Sequence, residues 1–437
     1  MNRDLQAILA YDNPWLGDAG TLPGWLGSHL PPTYIPRQVA VTGGELWRTP
    51  GRAHLVVGPR QAGKSTTIWA HLTELNGPVL YIDCEQTLVQ EWCRSAPLFL
   101  AELEELIARP TTLFFEEAQH LDNAGLFLKG LVDRNVGTPI LVTGSSSFHL
   151  GARVRESLAG RATRTRLLPL SLAEVCADLP EQPRVPHERA MLTRFDRHVC
   201  FGGYPEAWLA DKPESILTGL VESVILRDAT DLFRIARPDA FRRLLRLAAA
   251  QVGNLVNLSE WASVLGISRD TVASYLEILE SSHVVAKIPP FVGGKRSELT
   301  RSEKVFFVDQ GLRNRLVHDF RLPGERADNG ATLENWVFTE LLKAAPADAG
   351  VHFWRSTSKA EVDFVLDLPG ALVGVEVKAG RLGRRTIPRS ARSFIEAYSP
   401  ELFLILSADG EGAERTGNTK IRWIPPHHIG AVVREKP

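Results

Sequence analysis

The sequence predicts a multidomain α/β protein, and three observations lead to that class. The chain has 437 residues, which is too long for one hydrophobic core and corresponds to about three domains of typical size. Apolar strands alternate with helical stretches over residues 38–170, which favours a parallel sheet covered by helices. A second group of strands follows residue 323, after a largely helical middle section.

Composition agrees with a globular protein. Hydrophobic residues make up 44% and charged residues 23%, and the net charge of −1 excludes a polycationic nucleic-acid coat. No apolar run approaches the roughly 20 residues that span a bilayer, and the start MNRDLQAILAYDN lacks the pattern of a signal peptide. We therefore expect a cytoplasmic protein without membrane contact. Four cysteines without CxxC spacing are expected to be reduced thiols: Cys84, Cys93, Cys176 and Cys200.

The most specific motif is a phosphate-binding loop at residues 58–65, Gly-Pro-Arg-Gln-Ala-Gly-Lys-Ser. An apolar strand precedes it and a helical run follows, as this loop requires. Its glycines let backbone N–H groups point at an oligophosphate, Lys64 reaches the β- and γ-phosphates and assists catalysis, and Ser65 offers its hydroxyl to Mg²⁺. The alternative is an ordinary strand-to-helix turn. The residues predicted to contact the nucleotide are Gly58, Pro59, Arg60, Gln61, Ala62, Gly63, Lys64, Ser65, Thr66 and Thr143.

An acidic pair marks the second nucleotide motif. The buried strand Thr111–Phe115 ends in Glu116 and Glu117. Hydrolysis needs one carboxylate for the Mg²⁺ shell and one that orients or deprotonates the attacking water. We assign Glu116 to the metal and Glu117 to the water, although aspartate is usual at the metal position. A charged strand end without a catalytic role is the alternative.

Two further features follow along the chain. The strand from Pro139 ends in hydroxyl residues, of which Thr143 or Ser145 could contact the γ-phosphate or the water, or simply cap the next helix. Arginines then accumulate up to Arg166, and most of them are expected on a solvated face. Arg161, which closes Leu-Ala-Gly-Arg, is predicted to reach the nucleotide of a neighbouring subunit, because arginine neutralises charge in phosphoryl transfer.

These motifs, with Pro169-Leu-Ser and Phe201-Gly-Gly-Tyr-Pro-Glu206, resemble a large prokaryotic family of AAA-type ATPases that carry a nuclease-like C-terminal domain. The resemblance covers nearly the whole chain. It implies a P-loop AAA-type core with a small helical lid, ATP and Mg²⁺ as ligands, and assembly into a homo-oligomer such as a ring. The predicted domains are a leader (1–37), the ATPase core (38–170), the helical lid (171–235), a winged helix-turn-helix (236–322) and a nuclease-like domain (323–437).

The middle of the chain predicts a winged helix. Gly266-Ile267 forms the tight turn of a helix-turn-helix, and Gly293-Gly-Lys-Arg296 forms a basic wing. Such a unit reads DNA through the outward residues of its third helix, or serves as a protein contact. In the preceding lid, Arg227 is either a nucleotide sensor or part of a surface ion pair. The predicted elements are the helices Phe241–Val252, Leu258–Leu265 and Ser268–Ser281 and the strands Val284–Pro289 and Lys304–Asp309.

A second catalytic pattern lies near the C-terminus. Asp363 lies in an alternating strand, and the next strand ends in Val-Glu376-Val-Lys378, so the three side chains meet at adjacent strand ends. Two carboxylates there can bind Mg²⁺, and the lysine can stabilise hydroxide or a pentavalent phosphate. With Glu334 on the preceding helix, the pattern resembles the PD-(D/E)xK nucleases, which have the restriction-endonuclease-like fold. Structural retention of the carboxylates is the alternative.

Six basic residues without an acid lie in the run 378–392, a natural counterpart for a phosphate backbone. Trp354 and Arg355 could stack on or clamp a nucleic-acid strand, or be buried. The sequence therefore predicts an ATP-hydrolysing protein that acts on DNA and has a Mg²⁺-dependent nuclease-like domain. The alternatives are an ATP-controlled DNA- or protein-binding switch without nuclease activity, and an ATP-driven remodeller of branched DNA.

Overall fold

A computed structural model describes residues 2–74, 79–106, 112–134, 136–144, 158, 160–180, 183–222, 235–293, 302–346 and 348–435. The chain divides into two compact units. The first comprises Met1–Leu168 with Ser281–His283, and the second comprises Pro169–Glu280 with Val284–Pro437. Over the described ranges, every helix is too short or too polar to cross a membrane.

The first unit is built on a five-stranded parallel sheet with the order β2-β3-β4-β1-β5. The strands are β1 (Ala53–Val57), β2 (Val79–Asp83), β3 (Thr112–Glu116), β4 (Ile140–Gly144) and β5 (Ala162–Arg166). β4 lies between β1 and β3, so the carboxyl ends of these three strands share one edge of the sheet. The parallel sheet predicted for residues 38–170 is confirmed.

Helices cover this sheet, and the N-terminal leader supplies two of them. The helices are α1 (Arg3–Asp12), α2 (Leu22–His29), α3 (Gln38–Trp47), α4 (Lys64–Leu72), α5 (Thr87–Trp92), α6 (Ala96–Leu106) and α7 (Ala124–Asp133). Pro14 and Pro23 do not prevent the leader from forming helices, because they lie in first turns, where a missing N–H costs no helical hydrogen bond. The indole N–H of buried Trp15 donates to the Val79 carbonyl at 2.6 Å, which fixes the leader on β2.

The second unit begins with helices. They are α8 (Leu172–Val175), α9 (Arg184–Phe201), α10 (Pro205–Leu209), α11 (Pro213–Gly219), α12 (Pro238–Ala250), α13 (Leu258–Leu265), α14 (Arg269–Ser281), α15 (Gln310–Val317), α16 (Asn329–Ala344), α17 (Arg389–Tyr398) and α18 (Ile429–Arg434). The predicted order of three helices and two strands is present in α12 to α14, β6 (Val285–Ile288) and β7 (Lys304–Phe307), which pair antiparallel. The Ser268 hydroxyl accepts from the Thr271 N–H at 3.1 Å, as expected of an N-cap.

The Phe201-Gly-Gly-Tyr motif joins α9 to α15. Gly202 has a φ of +71°, and a Cβ there would overlap the carboxylate of Asp309, so only glycine fits. The next N–H, of Gly203, donates to Asp309 Oδ2 at 2.7 Å. Asp309 also caps α15 by accepting from the Leu312 N–H at 3.0 Å. One carboxylate therefore fixes the end of one helix and the start of another.

A six-stranded sheet forms the C-terminal part, with the order β12-β13-β11-β10-β9-β8. The strands are β8 (Gly350–Arg355), β9 (Glu361–Leu368), β10 (Ala371–Val377), β11 (Leu402–Leu406), β12 (Gly412–Thr416) and β13 (Thr419–Ile424). β8 to β10 form an antiparallel meander, and α17 crosses over to β11, which is parallel to β10. Side chains of β9 alternate, so Phe364 packs on Phe338 of α16 while Val365 packs in the cluster of Phe394 from α17.

Candidate functional sites

The phosphate loop lies between β1 and α4 with the backbone that its sequence predicts. A Cβ at Gly58 would overlap the Leu167 carbonyl, and Gly63 has a φ of +90°, so both glycines are required. The Lys64 side chain is buried, and its Nζ donates to the carbonyls of Gly58 at 3.2 Å and Pro59 at 3.1 Å. The ammonium group therefore points into the loop, where a phosphate would lie. Pro59 and Ala62 are buried, Arg60, Ser65 and Thr66 are partly buried, and Gln61 is exposed.

Glu116 is held between two hydroxyl groups. Its Oε2 accepts from the Tyr81 hydroxyl at 2.5 Å, and Ser65 also hydrogen-bonds to its carboxylate. Burial raises the pKa of Glu116, against the effect of these two hydrogen bonds. The predicted Mg²⁺ residues Ser65 and Glu116 are therefore in direct contact. The sequence analysis did not identify Tyr81, because β2 carries no motif that marks a tyrosine as part of the nucleotide site.

Glu117 follows β3 in a strained conformation, with a φ of +51°. Its N–H donates to Thr143 Oγ1 at 3.0 Å, and its Oε1 lies 4.0 Å from Lys64 Nζ. The carboxylate predicted to act on water thus faces the phosphate loop. Thr143 is fully buried and fixes the Glu117 backbone; its contact with the γ-phosphate stays a prediction.

His120 and Glu85 extend this acidic edge, and sequence inspection did not single them out. His120 Nε2 lies 3.4 Å from Glu85 Oε1, and the ligand atoms of Glu85, Glu117 and His120 all lie within 4.8 Å of one another. The three residues come from the ends of β2 and β3, which are neighbours in the sheet. Only the strand order could have revealed this proximity.

Arg161 lies at the opposite edge of the sheet. Its carbonyl accepts from the N–H of Ala53, the first residue of β1, at 3.1 Å, whereas the phosphate loop follows the last residue of that strand. A five-residue strand is about 16 Å long, so Arg161 does not reach its own loop. Its Nε lies 2.5 Å from Asp133 Oδ1, and 42% of its side chain is exposed.

The C-terminal sheet brings Asp363, Glu376 and Lys378 together as predicted. β9 and β10 pair with Phe364 opposite Val375. Asp363 Oδ2 accepts from the Val377 N–H at 2.7 Å, and Lys378 Nζ lies 2.6 Å from Glu376 Oε1. Glu376 is 4% exposed, and its Oε2 is buried without a hydrogen-bond partner among the described groups. A buried carboxylate oxygen of this kind fits a metal ligand.

Lys304 completes this cluster and was missed. Its Nζ lies 2.6 Å from Glu361 Oε1 and 3.3 Å from Glu334 Oε1, and the lysine itself is buried. Lys304 begins β7 of the predicted winged helix, so its distance from Glu334 in sequence concealed the pairing. Glu334 is thus beside the carboxylate group as expected, and the Lys304 ammonium lies within hydrogen-bond distance of one of its oxygens.

Crowding of these acids shifts their titration. Burial raises the pKa of Glu334 to about 8. The negative charge of Asp363 also raises this pKa, whereas the Lys304 ammonium lowers it. Burial and the charge of Asp363 raise the pKa of Glu376 to about 7, and burial likewise raises the pKa of Asp363. A divalent cation would relieve this repulsion, and the donor set of carboxylate oxygens suits Mg²⁺.

The basic run beyond the cluster is accessible to solvent. Its exposed arginines are Arg381, Arg384, Arg385, Arg389 and Arg392. Trp354 is only 3% exposed and packs against Phe394, so the suggestion that it stacks on nucleic acid is wrong. Arg355 lies 3.6 Å from Glu361.

On α14, Arg269, Asp270 and Ser274 are exposed, and Thr271 is half-buried. Ser145, Arg227 and the wing residues Gly294–Arg296 lie outside the described residues.

Three domain families match the chain. An AAA domain matches residues 51–176, a domain of unknown function (DUF8612) matches residues 192–322, and a second one (DUF4143) matches residues 329–425. The AAA domain includes the phosphate loop and the acidic pair. The DUF4143 match includes Glu334, Asp363, Glu376 and Lys378, and it assigns them no role.

The uncharacterized protein Rv2008c of Mycobacterium tuberculosis is 30% identical over 345 residues, which cover 78% of this chain and 72% of that protein. An uncharacterized protein of Haemophilus influenzae is 26% identical, over 74% of this chain and 81% of its own. The uncharacterized protein MJ1544 of Methanocaldococcus jannaschii is 25% identical, over 74% of each chain.

Among solved structures, the Walker-type ATPase PABY2304 of Pyrococcus abyssi aligns with a TM-score of 0.43 and 16% identity, covering 65% of this chain and 96% of that one. The replication initiator DnaA bound to AMPPCP and single-stranded DNA aligns with a TM-score of 0.26 and 12% identity, covering 56% and 90%.

The raised carboxyl pKa values predict how stability depends on pH in EDTA buffer. Between the ordinary glutamate pKa of about 4.3 and the folded values near 7 and 8, the folded chain holds protons that the unfolded chain releases. The contribution of these carboxyl groups to the free energy of unfolding is present below that pH window and is lost as the pH rises through it. Glu376→Gln removes one titration, so its unfolding midpoint should fall less than that of the wild type between pH 5 and 8.

Glu396→Gln is the matched control, because Glu396 is exposed on α17 and its replacement should leave the pH dependence unchanged. Thermal unfolding followed by circular dichroism measures the midpoint. A Glu376→Gln midpoint that follows the wild-type pH dependence would show that Glu376 is charged throughout, and the account of a crowded carboxylate cluster would fail.

Proposed function

The chain belongs to the family of the mycobacterial protein Rv2008c, with an AAA domain in its first unit, and from this premise we propose that this unit binds and hydrolyses ATP with Mg²⁺. The observation that carries the proposal is the 4.0 Å distance between Glu117 Oε1 and Lys64 Nζ, which directs a carboxylate at the phosphate loop. The AAA domain match covers both residues.

Each polar side chain at the sheet edge has a role in this reaction. Ser65 and Glu116, already in contact, would hold Mg²⁺, which neutralises charge on the phosphates. Lys64 would exchange its loop carbonyls for β- and γ-phosphate oxygens. Glu117, fixed through its N–H by Thr143, would orient and deprotonate the attacking water.

We expect Lys64→Ala to abolish ATP hydrolysis and Glu117→Gln to lower kcat by about 100-fold or more while ATP still binds, because only the proton acceptor is lost. Phosphate release and fluorescent-nucleotide binding measure the two effects. Glu91→Gln is the control, since Glu91 is exposed on α5. If Glu117→Gln hydrolyses ATP as fast as the control, another group activates the water.

The position of Arg161 supports a homo-oligomer. It lies at the sheet edge remote from its own phosphate loop, and its side chain is partly exposed beside Asp133. A second copy could therefore receive this guanidinium at its nucleotide, where it would neutralise charge in the transition state. We propose that ATP-dependent assembly brings Arg161 to the nucleotide of a neighbour in this way.

For the second unit we propose a Mg²⁺-dependent nuclease-like site that acts on DNA. The buried Glu376 Oε2, without a hydrogen-bond partner among the described groups, carries this proposal. Asp363 and Glu376 would hold the metal, which lowers the pKa of a bound water to make a nucleophile. Lys378, 2.6 Å from Glu376, would stabilise the charge that develops on the phosphate. The exposed arginines of 381–392 and the outward face of α14 would bind the DNA backbone.

Replacing Asp363 by Asn or Lys378 by Met should remove Mg²⁺-dependent cleavage of DNA and leave ATP hydrolysis unchanged, because the two sites use separate residues. Asp367→Asn is the matched control, since Asp367 is exposed on the same strand as Asp363. Gel assays with single-stranded, duplex and branched DNA test cleavage. Loss of ATP hydrolysis in Asp363→Asn would contradict two independent sites.

One observation favours a second function, an ATP-controlled DNA-binding switch without cleavage. The Lys304 ammonium lies beside Glu334 and Glu361, where it competes with a metal ion for their carboxylate oxygens. If the protein never nicks DNA with Mg²⁺ or Mn²⁺, while ATP changes its DNA affinity or oligomer size, this function replaces the nuclease. Strand displacement of branched DNA by Asp363→Asn would instead indicate a remodeller.

A further inference from the structure

Three side chains of metal-ligand type, none of which belongs to the two sites above, meet in the second unit. Glu188 lies on α9, and His427 and His428 lie on the 3-10 turn Pro426–His428 that precedes α18. One ligand atom from each residue lies within 4.8 Å of those from the other two. The group therefore joins a helix of the predicted lid to the end of the C-terminal domain.

The two histidines are held in place by packing. The His427 ring lies 5.6 Å from the Phe195 ring, which itself contacts the fully buried Trp336 at 4.8 Å. The ring centroids of His427 and His428 are 4.3 Å apart. The backbone N–H of His428 donates to the Pro425 carbonyl at 3.1 Å. The turn thus presents two adjacent imidazoles from a fixed backbone, as a ligand site requires.

Among the residues that the structure describes, the polar atoms of this group have no competing partner. Within the described ranges, the side chains of Glu188, His427 and His428 form no hydrogen bond or ion pair with another protein group. All three are half-buried, so water and ions can reach them.

We propose that Glu188, His427 and His428 bind one zinc ion, which links α9 to the 3-10 turn Pro426–His428. Two imidazoles and a carboxylate are a zinc donor set, with water in the fourth position. In a tetrahedral site with ligands about 2.1 Å from the ion, the ligand atoms lie about 3.4 Å apart. The three atoms, which lie within 4.8 Å of one another, must therefore approach by up to about 1.4 Å when the ion binds. Imidazole ligands favour zinc over Mg²⁺, which separates this site from the two carboxylate sites.

The test uses the full chain after treatment with EDTA and dialysis. Zinc bound per chain is measured by mass spectrometry after equilibration with micromolar Zn²⁺, and Zn²⁺ affinity by calorimetry. Glu188→Gln, which keeps the shape of the side chain, should lower the affinity about tenfold or more, and the double replacement H427N/H428N should remove about one zinc per chain. Zn²⁺ should also raise the wild-type unfolding midpoint and not that of the double variant.

Two controls make the result specific. His187→Asn should bind zinc like the wild type, because His187 is next to Glu188 on α9 but hydrogen-bonds to the Pro180 carbonyl at 2.9 Å. E117Q/H120N removes two of the three ligands in the group of Glu85, Glu117 and His120 and should leave this zinc in place. Zinc binding that is equal in the wild type and Glu188→Gln, or that is lost only in E117Q/H120N, would overturn the proposal.

Discussion

Acidic side chains withdrawn from water at the ends of strands are the constraint on which both sites depend. A buried carboxylate is costly unless a cation or donor groups compensate it. Glu116 is compensated by the hydroxyls of Tyr81 and Ser65, and Glu376 by the ammonium of Lys378 on one oxygen only. The proposed divalent cation would replace the repulsion among neighbouring acids in each group with attraction.

The two units reach this arrangement by different topologies. In the first, parallel strands place the loop of β1 next to the acidic end of β3, with β4 between them. In the second, an antiparallel meander brings Asp363 and Glu376 together from neighbouring strands, and β7 adds Lys304 from outside the sheet. Because the two groups of side chains lie on separate sheets, each can be altered by substitution independently of the other.

Local patterns in the sequence were sufficient for the phosphate loop, the Glu116-Glu117 pair and the Asp363, Glu376 and Lys378 group, because their residues lie on short, regular strands. Contacts between segments that are distant in the sequence cannot be predicted from such local patterns. Lys304 beside Glu334, Arg161 beside Asp133, and Glu188 near His427 and His428 depend on how the helices pack. Trp354 is buried because α17 covers the sheet, and the sequence of the strand that carries Trp354 does not show which helix covers it.

The most direct test of the account counts Mn²⁺ ions, as a spectroscopic substitute for Mg²⁺, on the full chain by electron paramagnetic resonance with and without a non-hydrolysable ATP analogue. Two classes of site are expected, one that requires the nucleotide and is lost in Lys64→Ala, and one that does not and is lost in Glu376→Gln. A single class that requires nucleotide and persists unchanged in Glu376→Gln would contradict the second metal centre.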